Sequence, residues 1–271
     1  MEFLFSRCKN LKSIDLSSFD TSNVTFMERM FGFCENLTSI DLSSFNTKNV
    51  KNMEKMFLGC KNLKSIDLSS FDTSNVTDMK EMLALCKNLT SIDLSNFDTS
   101  NVTDMKGMFE FCENLTSIDL SSSLNAKNLK SIDMSNPDKQ LKDINISTFN
   151  TEKVKNMSGM FYNCTNLKSI TFSSSFNTKS VTDMTCMFSG CKNLNSIGHL
   201  LYFKTSKVEN MSGMFQSCEQ LKNLDLSSFN TENVKNMSYM FNKCINLEKI
   251  KFSDSFNTKE VTDMKKMFGG C

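Results

Sequence analysis

The chain has 271 residues, of which 39% are apolar and 23% are charged, and 31 basic side chains balance 30 acidic ones. This composition is typical of a folded protein and argues against disorder, a collagen-like chain and a polybasic nucleic-acid binder. No stretch approaches the roughly 18 consecutive apolar residues of a membrane-spanning helix, and the first residues lack the pattern of an export signal.

The dominant feature of the sequence is self-repetition. Ten of the 11 cysteines recur at steps of 26 or 27 residues, apart from one step of 52 residues that covers two repeats. Two methionine columns, which begin at Met27 and Met30, share this period. Such a period predicts a stacked repeat architecture of about ten coils. The recurring cysteines are Cys8, Cys34, Cys60, Cys86, Cys112, Cys164, Cys191, Cys218, Cys244 and Cys271.

The first part of each repeat reads as a strand. In the segment LKSIDL (63–68), apolar residues follow the L-x-x-L-x-L order of a leucine-rich-repeat strand, with polar residues between them. Parallel stacking of these strands predicts one continuous sheet on one face of the molecule.

The connection that follows the strand is polar but contains one phenylalanine. The segment SSFDTSN is rich in side chains that bond neighbouring backbone groups, and its phenylalanine is expected to anchor the connection to the core. These residues are Phe19, Phe45, Phe71, Phe97, Phe149, Phe176, Phe203, Phe229 and Phe256.

The last part of each repeat reads as a short helix. In the segment VTDMKEML (76–83), apolar residues recur at three- and four-residue spacing, which predicts one buried side of a helical turn. An Asp or Asn precedes the first methionine and is a preferred N-cap. This position holds Asn52, Asp78, Asp104, Asn156, Asp183, Asn210, Asn236 and Asp263.

The spacing V-x-x-M-x-x-M-F-x-x-C-x-N-L-x-x-I-D-L-S-x-F-[D/N]-T, present at 50–73 and repeated along the chain, closely resembles the BspA-like leucine-rich-repeat surface proteins. The resemblance is strongest to the mycoplasma-type variant, a domain of unknown function, and it covers almost the whole chain. It implies an α/β repeat fold: a right-handed solenoid of about ten coils, with a parallel sheet on one face and short helices on the other. It brings no catalytic residues.

We expect one solenoid domain over 1–271, with one irregular repeat at 113–140. This repeat keeps the register but replaces its helical half with a second strand motif (129–134) followed by Pro137, which predicts a kink. Both ends of the chain fall inside the repeat pattern without recognisable polar caps, which suggests a longer parent chain.

The sulfur columns are interpreted as core. One cysteine per coil, at the end of an apolar stripe, predicts buried thiols rather than a disulfide framework. Zinc is disfavoured because no C-x-x-C pair exists and His199 is the one imidazole, and helical spacing favours packing over copper binding. Cys186 lies off the grid and is the best candidate for an exposed, reactive thiol.

A row of aspartates is the candidate partner-binding site. Stacked strands would place equal charges one strand spacing apart, which destabilises a sheet unless the charges are compensated or used. Lysines and serines beside the row could compensate it, a calcium ion could bind it, or a partner could cover it. The candidate residues are Asp15, Asp41, Asp67, Asp93, Asp119, Ser39, Ser65 and Ser91, and Asp133 is a further member of the row if its segment stacks.

These observations favour a noncatalytic module that binds a protein or glycan ligand through its strand face. One histidine, no phosphate loop and no nucleophile with a base argue against an enzyme, and no cofactor or metal is expected. The resemblance implies adhesion or host interaction and a location on the cell surface, as a lipoprotein or secreted protein. The alternative is a cytoplasmic repeat scaffold or a structural spacer.

Overall fold

The prediction of one continuous sheet was wrong: residues 11–16, 37–42 and 63–68 of the first three coils form no strand, and the strands of the later coils stack in parallel in two sheets. The computed structural model describes residues 1–94, 96–115, 117–119, 143–146, 150–172, 174 and 176–271. Strands β1 to β5 form one sheet in chain order, and β6 and β7 form a second. The strands are β1 (Ser91–Asp93), β2 (Ser117–Asp119), β3 (Asp143–Ile146), β4 (Ser169–Phe172), β5 (Ser196–Gly198), β6 (Asn223–Leu226) and β7 (Lys249–Phe252).

The register of these strands follows the sequence period. Ile92 pairs with Ile118, Ile144 with Ile170, and Leu224 with Ile250, and every pair is parallel. Equivalent residues of successive repeats therefore lie side by side, as the periodicity predicted. The leucine-rich-repeat solenoid is confirmed in this respect.

A second parallel ladder joins the coils in the other half of the repeat. It consists of single bridges between equivalent residues, one per coil. Its members occupy the predicted N-cap position, preceded in the first coil by Phe26. The bridges connect Phe26, Asn52, Asp78, Asp104, Asn156, Asp183, Asn210, Asn236 and Asp263 in that order.

The predicted short helices are absent from the described residues, where the corresponding segments are hydrogen-bonded turns. Two residues in each turn segment have a left-handed backbone, for example Lys55 (φ 58°) and Gly59 (φ 73°). A left-handed residue ends an α-helix, since the helix needs a continuous right-handed path. The methionines and the cysteine still face inward because successive turns preserve a spacing of three residues.

Backbone hydrogen bonds show how these turns replace the helix. The amide of Met56 donates to the carbonyl oxygen of Met53 (3.2 Å), within its own turn. The amide of Lys55 instead donates to the carbonyl oxygen of Lys80 (2.8 Å), in the next coil. Alternate amides therefore close turns and tie coils together. Asp78 is an acceptor, as expected for a cap, but its Oδ1 receives the amide of Lys80 (2.8 Å) in an Asx turn.

The core consists of continuous internal files of side chains. Met53, Met56 and Phe57 are fully buried, and the same columns are buried in most other coils. The Phe31 and Phe57 rings are stacked, with centroids 5.5 Å apart and planes within 5°. In the final coil Met264 is 47% exposed. Most connection phenylalanines are buried too, while Phe149 lies outside the described residues.

The strand side and the turn side of the stack continue differently past the irregular repeat at 113–140. On the strand side, Asp119 pairs with Asn145, one repeat later. On the turn side, the bridge runs from Asp104 directly to Asn156, two repeats later. The irregular repeat therefore contributes a strand, β2, to the sheet but has no described member in the turn ladder. Residues 120–142, with the second strand motif, Asp133 and Pro137, lie outside the described residues, so the kink stays a prediction.

Candidate functional site

The predicted aspartates occupy equivalent positions of the first coils, on the side of the molecule that carries the strands from β1 onward, here called the strand face; Asp15, Asp41 and Asp67 themselves lie outside any strand. Asp15, Asp41, Asp67 and Asp93 are all exposed. Asp93 pairs in register with Asp119, so the row runs straight from coil to coil. Beyond Asp119 the column continues with Asn145, Thr171 and Gly198.

The predicted serines lie in the neighbouring column. Ser39 and Ser65 are exposed, and Ser91 is half-buried. Ser91 pairs in register with Ser117, so this column also runs from coil to coil. In the first coils Ser39 and Ser65 therefore present hydroxyl groups near the carboxylates of Asp41 and Asp67.

The aspartates also have a local structural role. Oδ1 of Asp41 accepts the backbone amide of Ser43 (2.9 Å), and Oδ1 of Asp67 accepts that of Ser69 in the same way (2.9 Å). Backbone and side-chain hydrogen bonds from Ser43 lower the pKa of Asp41, although the charge of Asp15 opposes this. Hydrogen bonds from Ser17 and Ser69 lower the pKa of Asp15 and of Asp67 in the same way, so these three carboxylates are ionised at neutral pH and each accepts an amide of the turn that follows it.

A shallow depression lies between two coils beside the row. Its volume is about 280 Å³, slightly below the roughly 300–1,000 Å³ of ordinary small-molecule pockets. It is lined by Ile40, Asp41, Leu42, Ser43, Asp67, Ser69 and Ser70. Because this depression is smaller than an ordinary small-molecule pocket, the strand face offers a broad surface with carboxylates rather than an enclosed pocket.

Sequence reasoning missed a buried threonine file that ties the coils together. Oγ1 of Thr47 donates to the carbonyl oxygen of Asp72 (2.9 Å) and accepts the amide of Asp72 (2.8 Å). The signal was present, because a threonine follows the F-[D/N] pair in nearly every repeat. The buried members are Thr21, Thr47, Thr73, Thr99, Thr151, Thr178, Thr205 and Thr231.

Further polar rows connect the coils at the surface. Nδ2 of Asn62 donates to Oδ1 of Asn36 (3.1 Å), and Asn88 donates to Asn62 in the same way (3.2 Å). In the adjacent column Lys61 pairs with Glu35 (2.8 Å). These rows support the stack, and they compensate charge in a column other than that of the aspartates.

The cysteine file consists of free thiols, as predicted. Eight of the 11 cysteines are buried and none forms a disulfide. Each buried thiol donates to a carbonyl oxygen of the preceding coil, as Cys60 does to Phe31 (3.2 Å). Burial raises the pKa of Cys34 to about 11 and that of Cys112 to about 12. The file is therefore packed core with poor nucleophiles.

The prediction that Cys186 is an exposed, reactive thiol was wrong. Cys186 is half-buried, and burial raises its pKa. It occupies a left-handed turn position (φ 54°) that other coils fill with Gly107 or Gly213. The exposed thiols are Cys8 and Cys271.

Thiol titration tests this assignment. At pH 8, in the folded protein, we expect a disulfide reagent to modify Cys8 and Cys271 rapidly, because both are exposed, and Cys186 slowly, because it is half-buried. The eight buried thiols should react after denaturation. Cys8→Ser is the control and should remove one rapid equivalent. Rapid modification of all thiols before unfolding would contradict a packed sulfur file.

Among the described residues, no group of three or more His, Cys, Asp or Glu side chains is arranged to hold a metal ion. Nδ1 of His199 lies 3.1 Å from the carbonyl oxygen of Phe172. None of the described helical segments is long and apolar enough to cross a membrane.

Three solved structures with detectable similarity are leucine-rich repeat proteins. The protein of T. pallidum is 17% identical, with 81% of this chain and 69% of that chain covered and a TM-score of 0.36. The protein of Eubacterium ventriosum is 14% identical, with 98% and 78% covered and a TM-score of 0.40. A leucine rich cell surface protein of Faecalibacterium prausnitzii is 18% identical, with 94% and 76% covered and a TM-score of 0.30.

No curated protein matches the chain. One family model, described as Mycoplasma protein of unknown function, DUF285, matches residues 1–83, 33–136, 132–250 and 198–271. These overlapping matches extend over the whole sequence. The chain therefore belongs to the DUF285 family, the mycoplasma-type repeat class that its motif resembles.

Proposed function

We propose that this chain is a noncatalytic binding module of the cell surface, which engages a protein or glycan ligand through its strand face. The observation that carries the proposal is the aspartate row: Asp15, Asp41 and Asp67 are exposed and in equivalent positions of successive coils. Hydrogen bonds from the following serines lower the pKa of each. A fixed row of charge on a stacked scaffold favours recognition of an extended partner.

A noncatalytic role agrees with the state of the nucleophiles. The buried thiols donate hydrogen bonds into the core, and burial raises their pKa. The carboxylates of the row accept backbone amides and are open to solvent. Such groups are suited to electrostatic recognition more than to proton transfer, which generally uses a carboxyl with a raised pKa.

Charge removal from the row tests the proposal. The triple variant Asp41→Asn, Asp67→Asn and Asp93→Asn should weaken ligand capture by about tenfold or more, since it removes three charges but keeps the Oδ1 acceptors of the turns at positions 41 and 67. Capture by the immobilised chain would be measured on a glycan array and in host-cell extract. Circular dichroism and the thermal midpoint should stay unchanged.

A matched control uses the turn ladder. Asp78→Asn, Asp104→Asn and Asp183→Asn remove the same charge from a column where Asn52 and Asn156 already stand. Capture by this control should equal that of the natural sequence. If the strand variant also captures normally, the aspartates serve the turns alone, and the assignment of the binding site is lost.

A further inference from the structure

The strand face changes the sign of its charge along the stack. In the aspartate column the first coils present Asp15, Asp41 and Asp67, whereas the last strand presents Lys251, in register with Asp225. The neighbouring serine column ends at Lys249, which is exposed. One end of the face is therefore acidic and the other end has two lysines in its outward strand positions.

Other charges on this face moderate the contrast without cancelling it. Lys12 and Lys64 lie beside the aspartates in the first coils and are exposed. In the last coils Lys251 approaches Asp225 (3.4 Å) and Lys222 approaches Glu248 (3.8 Å), and such exposed pairs contribute little to stability. Both charges of such a pair can be shared with a further partner, because neither is desolvated.

An apolar side chain interrupts the polar face on the basic half. Strand β5 is followed by a 3₁₀ turn, Leu200–Tyr202, where other coils have the D-L-S-S segment. Leu201 replaces a polar residue and is 56% exposed. Tyr202 packs edge-on against His199, with ring centroids 5.8 Å apart. Strands β5 and β6 belong to separate sheets at this point.

We propose that the strand faces of two copies of this chain pack against each other in antiparallel orientation, about a two-fold axis. In this arrangement the acidic end of each copy faces the basic end of the other, so the surface is complementary to itself. A parallel arrangement would oppose equal charges. The inference rests on the proposed function, since it takes the aspartate row as a binding surface, and it names a second copy as the partner.

The proposed dimer contains charged contacts and an apolar contact, and these respond differently to salt. Charge complementarity between exposed groups is screened by salt over about 8–10 Å, so the dimer should weaken as salt rises. Leu201 provides an apolar contact that salt does not screen. We therefore expect dissociation by salt to be incomplete at high protein concentration, and Leu201→Ser to weaken the dimer at every salt concentration.

A charge exchange between two variants is the decisive experiment. The basic variant carries Asp41→Asn, Asp67→Asn, Ser39→Lys and Ser65→Lys, which keep the Asx turns of the first coils. The acidic variant carries Lys249→Glu and Lys251→Glu, an equal and opposite change of formal charge. Each variant alone should be monomeric in sedimentation velocity, and an equimolar mixture should form a heterodimer because both contacts are again complementary.

Two controls accompany the charge exchange, one for the position of the charge change and one for folding. Lys51→Glu with Lys155→Glu makes the same charge change as the acidic variant, in the turn half of the repeat, and should leave the dimer intact. Circular dichroism of every variant verifies folding. A natural chain that stays monomeric at about 100 µM and low salt overturns the proposal, since a weaker contact would be negligible. A mixture that fails to associate overturns it as well.

The outcomes separate this inference from the proposed function. A chain that is monomeric throughout but loses ligand capture in the Asp41, Asp67 and Asp93 variant refutes self-association and leaves the binding module in place. A chain that dimerises with charge exchange but captures no other molecule supports self-association, and then the external ligand is refuted. Leu201→Ser should weaken the dimer about tenfold with an unchanged thermal midpoint.

Discussion

Replacing Phe57 with alanine should lower the free energy of unfolding by roughly 3–5 kcal/mol, the range for a fully buried phenylalanine. Phe57 is fully buried between successive coils, and its ring stacks on Phe31 at 5.5 Å. Its amide donates to Met82 of the next coil and is unaffected by the substitution. The loss therefore comes from the cavity and from the missing ring contact.

The neighbouring coil provides a natural control for this prediction. Leu83 occupies the same column and is fully buried, so Phe57→Leu should cost only about 1–1.5 kcal/mol. Urea unfolding followed by circular dichroism measures both variants. Hydrogen exchange should locate the loss in the coils next to residue 57, because each coil contacts only its neighbours. Equal loss for the alanine and leucine variants would mean that the ring does not pack as described.

Replacing Thr47 with valine should destabilise the protein by roughly 2–3 kcal/mol, although the two side chains have nearly the same shape. The hydroxyl of Thr47 serves both the carbonyl oxygen and the amide of Asp72. Thr47 itself is 1% exposed. Valine leaves both backbone groups of Asp72 facing a buried methyl group instead of a hydroxyl partner.

Two substitutions isolate the hydrogen bonds from the packing. Thr47→Ser keeps the hydroxyl and should cost about 1 kcal/mol or less, for the lost methyl group. Thr77 also donates to a carbonyl oxygen of the adjacent coil, that of Lys51 at 3.2 Å, but is exposed. Thr77→Val should therefore stay within about 0.5 kcal/mol. Thermal unfolding of the three variants gives the comparison, and equal effects at positions 47 and 77 would refute the role of burial.

The repeat and its core could be predicted from periodicity alone. Identical spacing of Met53, Met56 and Phe57 in successive units requires equivalent environments, and stacking is the arrangement that buries them all. The aspartate row was predicted for the same reason, since the alternation along a strand separates Ile66 from Asp67. The hydrogen bond that these aspartates accept from the serine two residues later was not predicted, although the D-x-S pattern is typical of Asx turns.

The helices were mispredicted because a helix and a pair of successive turns have the same spacing of buried apolar residues. Residues three and four apart lie on one side of a helix, and a pair of successive turns also places residues three apart on one side. Residues with a left-handed backbone, such as Lys55 and Glu81, select the turns over the helix. Lysine and glutamate do not favour a left-handed backbone, so the sequence does not indicate it at these positions. Glycine would have been the signal there, and it appears at Gly107, Gly159 and Gly213 but not in most coils.

The sequence by itself determined which side chains are inside, because the period of 26 or 27 residues assigns every column to the same environment in each coil. Only the tertiary structure decided the path of the backbone, since half of the turn amides find their acceptors in the next coil rather than in their own segment. Local propensity carries no information about such partners. The sequence predicted that the repeat at 113–140 lacks its helical half, and the tertiary structure decided how the stack continues there: the turn ladder passes directly from Asp104 to Asn156 while β2 pairs with β3.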